Sequence, residues 1–415
     1  MSVSILLIGA PLSRNLGGPS LLLSTRKVLD SVFPGTRYTY ISPLAEDLSL
    51  EDVYDMEIIT TVPMKELVVA ALAKRLFGLT VGSPSVRRAL RAYSESDLVV
   101  DIWGIGFSDT ISKRTFRSSV LSGGRFLVGR ILGKRVVKYT ADLGPFDTRW
   151  NRFFSKWYFN HTVDLILARS ESTRQRLLQL GVKTPIKVCP DTAFLLPAER
   201  SPFSEGLVKR RQEGRPIVGF SVSHMAARQS GDWARYIEQV AHLADHVVKT
   251  TGAEIVFIPN ELSPDVSADD VHFSQLVLDA MQSRDKAVIA PTADLTAPQV
   301  KGVIGQCDVV VASRYHTIVA ALSQAIPTLA IGWHAKYEGV MSLVGQEEFV
   351  CHVRSMTLDD LKTKFTVLWN SRHEIRAKIQ GALPTVEQRI WQCAREVSNL
   401  LDQGAVRRRR RTRKG

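Results

Sequence analysis

The chain has 415 residues, 45% hydrophobic and 23% charged, with four cysteines and a formal net charge of +13. That length predicts two or three domains with ample core, and that balance is globular rather than disordered or fibrous. No window reaches the ~20 uninterrupted apolar residues of a membrane span, the start MSVSILLIGAPLSRN lacks a signal-peptide pattern, and Cys189, Cys307, Cys351 and Cys393 form no CxxC pair, so a reducing, cytoplasmic protein without disulfides or a metal centre is expected.

In chain order, SILLIGA (4–10) reads as a buried strand and 20–32 as a helix. DLVVDIWG (97–104), 135–140, DLILARS (164–170) and IKVCPD (186–191) read as further strands, with a helix from 170 to 180. Near-continuous Val/Ile/Leu strands alternating with helices predict a parallel sheet covered on both faces. The stretch 197–215, rich in Pro, Gly and charge, reads as a linker. The pattern then restarts with PIVGFSVS (216–223), a helix over 233–250, AEIVFIPN (253–260), a short apolar run at 287–290 and a helix over 298–306. DVVVAS (308–313), a helix and TLAIG (328–332) follow. The fold class expected is α/β, with two Rossmann-like doubly wound domains facing a central cleft. The boundaries are 1–196 for an N-terminal domain on the acceptor side, 197–215 for the linker, 216–380 for a donor-binding domain, 381–403 for a C-terminal helix and 404–415 for a disordered basic tail.

The charge is uneven. Seven Lys/Arg lie between Arg407 and Lys414, leaving +6 elsewhere, and Lys113–Lys138 holds eight Lys/Arg and no acid. Such runs are solvated tails or faces, and their sharper reading is peripheral attraction to an anionic membrane. Without interleaved aromatics or a binding module, nucleic acid is not an expected partner. The acidic pair Asp269-Asp270 sits in a polar loop and reads as solvated.

Ligand groups in doubly wound folds gather at the carboxyl ends of strands, which directs attention to ASRYHTIVAALSQAIPTLAI (312–331). Ser313 reads as an N-cap, Tyr315, Ile318, Val319 and Leu322 form a helical apolar stripe, and Pro327 follows the helix. Arg314 and His316 then sit in the first turn, beside unpaired N–H groups and the positive dipole end. The next strand end, GWHAKYEG (332–339), adds His334 and Lys336. Converging cations are costly unless an anion is bound, so the functional reading is an anion site. The plainer reading pairs Arg314 with a local carboxylate and places His316 in the core. Other strand ends supply Asn15, Trp103, Arg169, Asp191, His224, Trp333 and Glu338. For Asp191, Glu338 and His224 the plainer readings are a turn cap, a pair with Lys336 and a surface loop residue. The tryptophans either stack on a sugar or pack.

The segment from Ser313 to Gly345, with Arg-x-His, an apolar helix, a proline, a strand and then a lysine, resembles the C-terminal signature of the polysaccharide pyruvyl transferase family. DLVVDIWGIGFSD, KYTADLGPF, ARSESTRQRLLQLGV and CPDTAFLL resemble further family loops, over about Val3–Val350. The loop Asn15-Leu16-Gly17-Gly18-Pro19 departs from the family's Asn…Gly-Asp by lacking the acid. The resemblance implies a GT-B-like fold and transfer of a pyruvyl group from phosphoenolpyruvate to hydroxyls of a glycan or lipid-linked sugar, forming a ketal and releasing phosphate, with no cofactor. It implies Arg314, His316, Lys336, Arg169, Ser313 and His334 as donor-binding residues. His316 is the preferred acid/base, with Arg314 and Asp191 beside it; Asn15, Trp103, His224, Trp333 and Glu338 face the acceptor. Two alternatives are a nucleotide-sugar-dependent GT-B glycosyltransferase and a non-catalytic glycan-binding relative. The first would show glycines at the helix mouth and a carboxylate for the ribose.

Overall fold

The structure, a computed structural model, describes residues 3–109 and 115–412. The chain divides into two compact units. Met1–Leu12, Leu21–Thr192 and Gln388–Gly415 form the first, and Ser13–Ser20 with Ala193–Glu387 form the second.

The first unit holds β1 (Ser4–Ile8), β2 (Arg37–Ser42), β3 (Glu57–Thr60), β4 (Leu98–Asp101), β5 (Ile105–Gly106), β6 (Arg135–Leu143), β7 (Leu165–Ala168) and β8 (Ile186–Val188). Their order is β3-β2-β1-β4-β6-β7-β8, with β5 beside β6, and every pairing is parallel. Alternate residues of β1 enter opposite faces, as the strand period of two requires. Leu6 and Ile8 join one core cluster with Leu67, Phe126 and Phe159, whereas Ile5 and Leu7 join another with Cys189, Cys393 and Val397. The helices Met64–Phe77, Thr115–Ile131 and Arg149–Thr162 therefore share one face of this sheet.

The second unit holds β9 (Ile217–Ser221), β10 (Glu254–Phe257), β11 (Ala287–Ile289), β12 (Val309–Ala312), β13 (Thr328–Gly332) and β14 (Val350–His352). Its order, β11-β10-β9-β12-β13-β14, is the Rossmann succession, again all parallel. The expectation of two Rossmann-like α/β sheets is met.

Several local expectations are not. The stretch read as a linker contains the helix Pro202–Gln212, opened by a Ser201–Ser204 capping box. Proline at the first helical positions lacks only an N–H that no partner needs, so Pro202 starts the helix instead of breaking it. The last helix runs Arg372–Thr412 with Pro384 inside it, longer than 381–403 and continuing into the stretch expected to be disordered. Residues 413–415, Lys113 and Arg114 lie outside the described residues, as do the side chains of 403–412. Strand β2 escaped the sequence reading because RYTYIS buries two tyrosines and only one aliphatic residue, Ile41.

Gly302 packs its helix against backbone: a Cβ there would lie 1.8 Å from the Glu199 carbonyl oxygen. Backbone cannot yield as a flexible side chain does, so Gly302→Ala is expected to cost about 1–3 kcal/mol, seen as a lowered midpoint of thermal or denaturant unfolding. An unchanged midpoint would show that the helix shifts freely.

Candidate active site

In the second unit the strand order reverses direction between β9 and β12, where a doubly wound sheet opens a crevice beyond the strands' carboxyl ends. Ser221 and Ala312 are register partners there. The chain leaving β9 carries His224, and the chain leaving β12 carries Ser313, Arg314 and His316.

Arg314 is the N-cap of the helix Tyr315–Leu322, with extended backbone and no side-chain cap. Its guanidinium grips Asp270 as a fork: Nε and Nη2 each donate to a carboxylate oxygen at 2.6 Å. Nη2 also donates to His224 Nδ1 at 2.8 Å, and Nη1 lies 2.6 Å from Glu261 Oε2. An arginine donor at Nδ1 makes that nitrogen an acceptor. Asp270 is fully buried and also accepts from the backbone N–H groups of His224, Asn260 and Glu261. Burial alone would raise the Asp270 pKa, but Arg314 and these hydrogen bonds hold it below the ordinary value. Desolvation works against the Arg314 cation too, and Asp270 and Glu261 more than offset it, raising its pKa.

Ser313 is 2% exposed and caps nothing. Its Oγ meets the Tyr236 hydroxyl at 2.8 Å, and its carbonyl accepts from the Tyr337 hydroxyl at 2.8 Å. Burial pushes the Tyr236 hydroxyl up to about 12, so it stays protonated and able to donate.

The loop Ser13–Ser20 closes against this mouth. Asn15 forms an antiparallel bridge with Glu261, Leu16 N donates to Asn260 O at 3.0 Å, and Leu262 N donates to Arg14 O at 2.8 Å. Asn15 Oδ1 accepts from Gly17 N at 2.8 Å. A Cβ on Gly17 would fall 2.2 Å from His316 Nδ1, so only glycine lets the ring seat there. A cavity of about 20 Å³, room for roughly one water, is lined by Leu16, Ser20, Asn260, Lys301 and His316 among others.

Beyond β13, Lys336 Nζ lies over three rings, at 4.7 Å from Trp333 and 5.3 Å from both Tyr315 and Tyr337. Cation–π attraction of this kind helps to hold an ammonium group in place. Lys336 N donates to His334 Nδ1 at 3.2 Å, which places that ring's proton on Nε2. Glu338 is exposed and pairs with His352 at 3.0 Å, not with Lys336.

In the first unit the strand ends form a separate charged network. Arg169 is 2.9 Å from Asp191 and 3.5 Å from Asp142, all three buried. A Cβ on Gly104 would meet Arg169 Nη2 at 2.5 Å, so that glycine lets the loop lie against the guanidinium. Lys138 Nζ reaches Asp101 at 2.5 Å and the Trp103 carbonyl at 2.6 Å, and Arg125 lies 5.3 Å from the Trp103 ring.

The polysaccharide pyruvyl transferase family profile matches residues 15–335. The chain belongs to this family. It is accordingly a transferase enzyme. No curated protein sequence matches it. Among solved structures, the chain resembles HepE of Anabaena in complex with UDP, at TM-score 0.60 and 16% identity over 97% of this chain and 100% of that one. It resembles a glycosyltransferase from Rickettsia africae at TM-score 0.58 and 13% identity, covering 96% and 98%. It also resembles a putative UDP-N-acetylglucosamine 2-epimerase from Listeria monocytogenes at 0.57 and 13%, covering 92% and 91%. At these identities the likeness is one of fold, and it is GT-B-like.

In this pyruvyl transferase relative, the mouth of the helix Tyr315–Leu322 brings together Asn15, His224, Ser313, Arg314 and His316. The excess of positive charge expected there is absent, because Asp270 and Glu261 neutralise Arg314. The fork expected to clamp an anion is occupied. Asp270 is the solvated residue that proved buried. His224 is 8% exposed, which corrects its reading as a surface residue. Asn15 lies in the second unit, although 1–196 was expected to fold as one domain. Asp142, Glu261 and Gly17 lay in loops that the sequence pointed to but were given no role, and Asp270 was read only as solvated. The signals available for Asp270 were the apolar residues that follow it and an arginine in need of a partner. The family match closes at residue 335, so Lys336 and Glu338 lie just beyond it.

Asp270→Ala leaves Arg314 buried with only Glu261 as an ionic partner, and such a loss is expected to cost about 3–5 kcal/mol. Because the folded-state pKa of Asp270 is depressed, its contribution is full above its ordinary value of 3.8 and is lost as pH falls through the lower folded value. Acid unfolding of Asp270→Asn should therefore show a shallower pH dependence over that window than the parent protein. Equal slopes would remove Asp270 from the pH response.

Proposed function

We propose that the protein transfers a pyruvyl group from phosphoenolpyruvate to hydroxyls of a glycan or lipid-linked sugar, closing a ketal and releasing phosphate. What supports the reading most is the family match running from the loop at Asn15 through the helix mouth at His316. The geometry of that mouth supports a division of work different from the one the sequence suggested.

Arg314 acts as a positioning residue. Its donors are committed to Asp270, Glu261 and His224, so it fixes the β9 and β12 strand ends rather than gripping the donor. Lys336 takes the larger share in holding the donor's anionic groups. A lysine ammonium makes strong charge-assisted hydrogen bonds to a phosphate or carboxylate, and that of Lys336 lies over the Trp333, Tyr315 and Tyr337 rings. The N–H groups of the first helical turn add their dipole.

His316 moves the proton. The donor's methylene carbon takes a proton from the imidazolium, giving a cationic carbon at the phosphate-bearing centre. An acceptor hydroxyl attacks that carbon and loses its proton to a base, the neutral ring being the group at hand. The carbon–oxygen bond to phosphate then breaks, and a second hydroxyl closes the ketal as its proton passes to the departing phosphate. A histidine suits both directions because it titrates near neutrality. Asp191 and Arg169 form a buried pair in the first unit. Their proposed role is to hold the strand ends that carry Trp103 and the acceptor-side loop.

A nucleotide-sugar donor draws support from the UDP complex of HepE. Against it, the carboxylates at the mouth are engaged: Asp270 and Glu261 with Arg314, and Glu338 with His352. A ribose would find none of them available.

Phosphate release from phosphoenolpyruvate, dependent on added glycan acceptor, is the deciding assay. Turnover only with a UDP-sugar would sink the proposal. His316→Gln is expected to lower kcat by about 10²–10⁴-fold. Lys336→Ala is expected mainly to raise the KM for phosphoenolpyruvate, by about tenfold or more. The reverse pattern would exchange the two roles.

A further inference from the structure

The helix Arg149–Thr162 has an outer face unlike any solvated one. Its exposed residues are Arg149, Trp150, Arg152, Phe153, Lys156, Trp157 and His161, all basic or aromatic, with no acid anywhere in the helix. Trp150 is 65% exposed, Phe153 62% and Trp157 40%. We propose that this face docks the protein onto the surface of an anionic phospholipid membrane, with the aromatic rings entering the headgroup boundary and the basic residues meeting lipid phosphates.

The argument is one of complementarity. An exposed group of large aromatics costs free energy in water and marks a contact surface. Trp in particular favours the membrane–water interface, where its ring and N–H find apolar and polar surroundings together. Here every aromatic on the outer face has a basic neighbour, Arg149 before Trp150, Arg152 before Phe153 and Lys156 before Trp157. Alternation of this kind fits a surface that is negative outside and apolar just beneath, where each Lys or Arg adds about 1 kcal/mol. Two acids, Asp109 and Asp147, lie at the helix start, and Asp164, just past its end, pairs with Arg130 and Arg135. Asp109 is engaged there, accepting from the N–H groups of Asp147 and Thr148 and from the Thr148 hydroxyl.

The face is also rigid. The inner side buries Asn151, Ser155, Tyr158, Phe159 and Thr162. A Cβ on Gly123 of the neighbouring helix would lie 2.2 Å from Tyr158, so the two helices are in close contact. The rings form a ladder: Trp150 and Phe154 are stacked at 6.3 Å, and Trp157 and His161 at 5.3 Å. Little ordering is needed on docking.

Vesicle co-sedimentation of the full chain tests this, comparing phosphatidylcholine with an equal mixture of phosphatidylcholine and phosphatidylglycerol. The protein should pellet with the anionic vesicles and remain in solution with the neutral ones. The triple variant Trp150→Ser/Phe153→Ser/Trp157→Ser keeps every charge, including the basic C-terminal run, and should bind at least about tenfold more weakly. Arg149→Gln/Arg152→Gln should lose about thirtyfold at low salt, from two residues at about 1 kcal/mol each. Unfolding midpoints confirm that each variant is folded, since the changed residues are exposed. Vesicle binding that is equal in the aromatic variant and the parent overturns the proposal, because the C-terminal run would then suffice. Absence of binding by the parent overturns it as well. A parent dimer that the aromatic variant converts to monomer, without vesicle binding, would assign the face to a second copy of the chain instead.

Discussion

The forked pair between Arg314 and Asp270 sits where β9 and β12 diverge, and the rest of the helix mouth is arranged around it. Two carboxylate oxygens, three backbone N–H groups and an imidazole nitrogen converge on these two side chains. Buried charges are tolerated only when their hydrogen-bonding capacity is nearly filled. That requirement draws the β9 loop, the β10 loop and the β12 loop to one point. It also places Glu261 beside the bridge to Asn15, which brings Gly17 under His316. The position of the titratable ring is thus a consequence of where an ion pair had to be satisfied.

This arrangement separates two tasks that a single arginine is often asked to perform. A cation that anchors strand ends cannot also turn freely to a ligand. Arg314 is fixed by acids, and Lys336 is surrounded by Tyr315, Trp333 and Tyr337. Burial raises the Tyr337 hydroxyl pKa, so it remains protonated and keeps its bond to the Ser313 carbonyl. The aromatic group around Lys336 and the ion pair around Arg314 share Tyr337 as a common wall, and a change in one is felt by the other.

Much of this could be read from the residues. Strands such as Val309–Ala312 announce themselves because both faces are covered and every position is apolar. The helix after it and its proline follow from helical periodicity, although the N-cap is Arg314 and not the expected Ser313. What escaped has a common physical cause. Asp270 lies 44 residues from Arg314 in sequence, and nothing local distinguishes an aspartate that will be buried against an arginine from one left in water. Gly17 matters only because of a ring 299 positions later, and glycines in loops are common. Pro202 misled because the same residue ends helices in one place and begins them in another. The family likeness drew attention to this helix mouth, but its charge balance needed coordinates.

The two units are not consecutive lengths of chain. The second borrows Ser13–Ser20, and the first is completed only by Gln388–Gly415. During synthesis, the first sheet would emerge early, yet the segment containing Cys393 and Val397 that covers one of its core clusters arrives last. A cut between Thr192 and Ala193 would yield one fragment with an open core and another without the loop that seats His316. Separately expressed halves are therefore poor surrogates for either unit, and any circular permutation has to preserve both crossings.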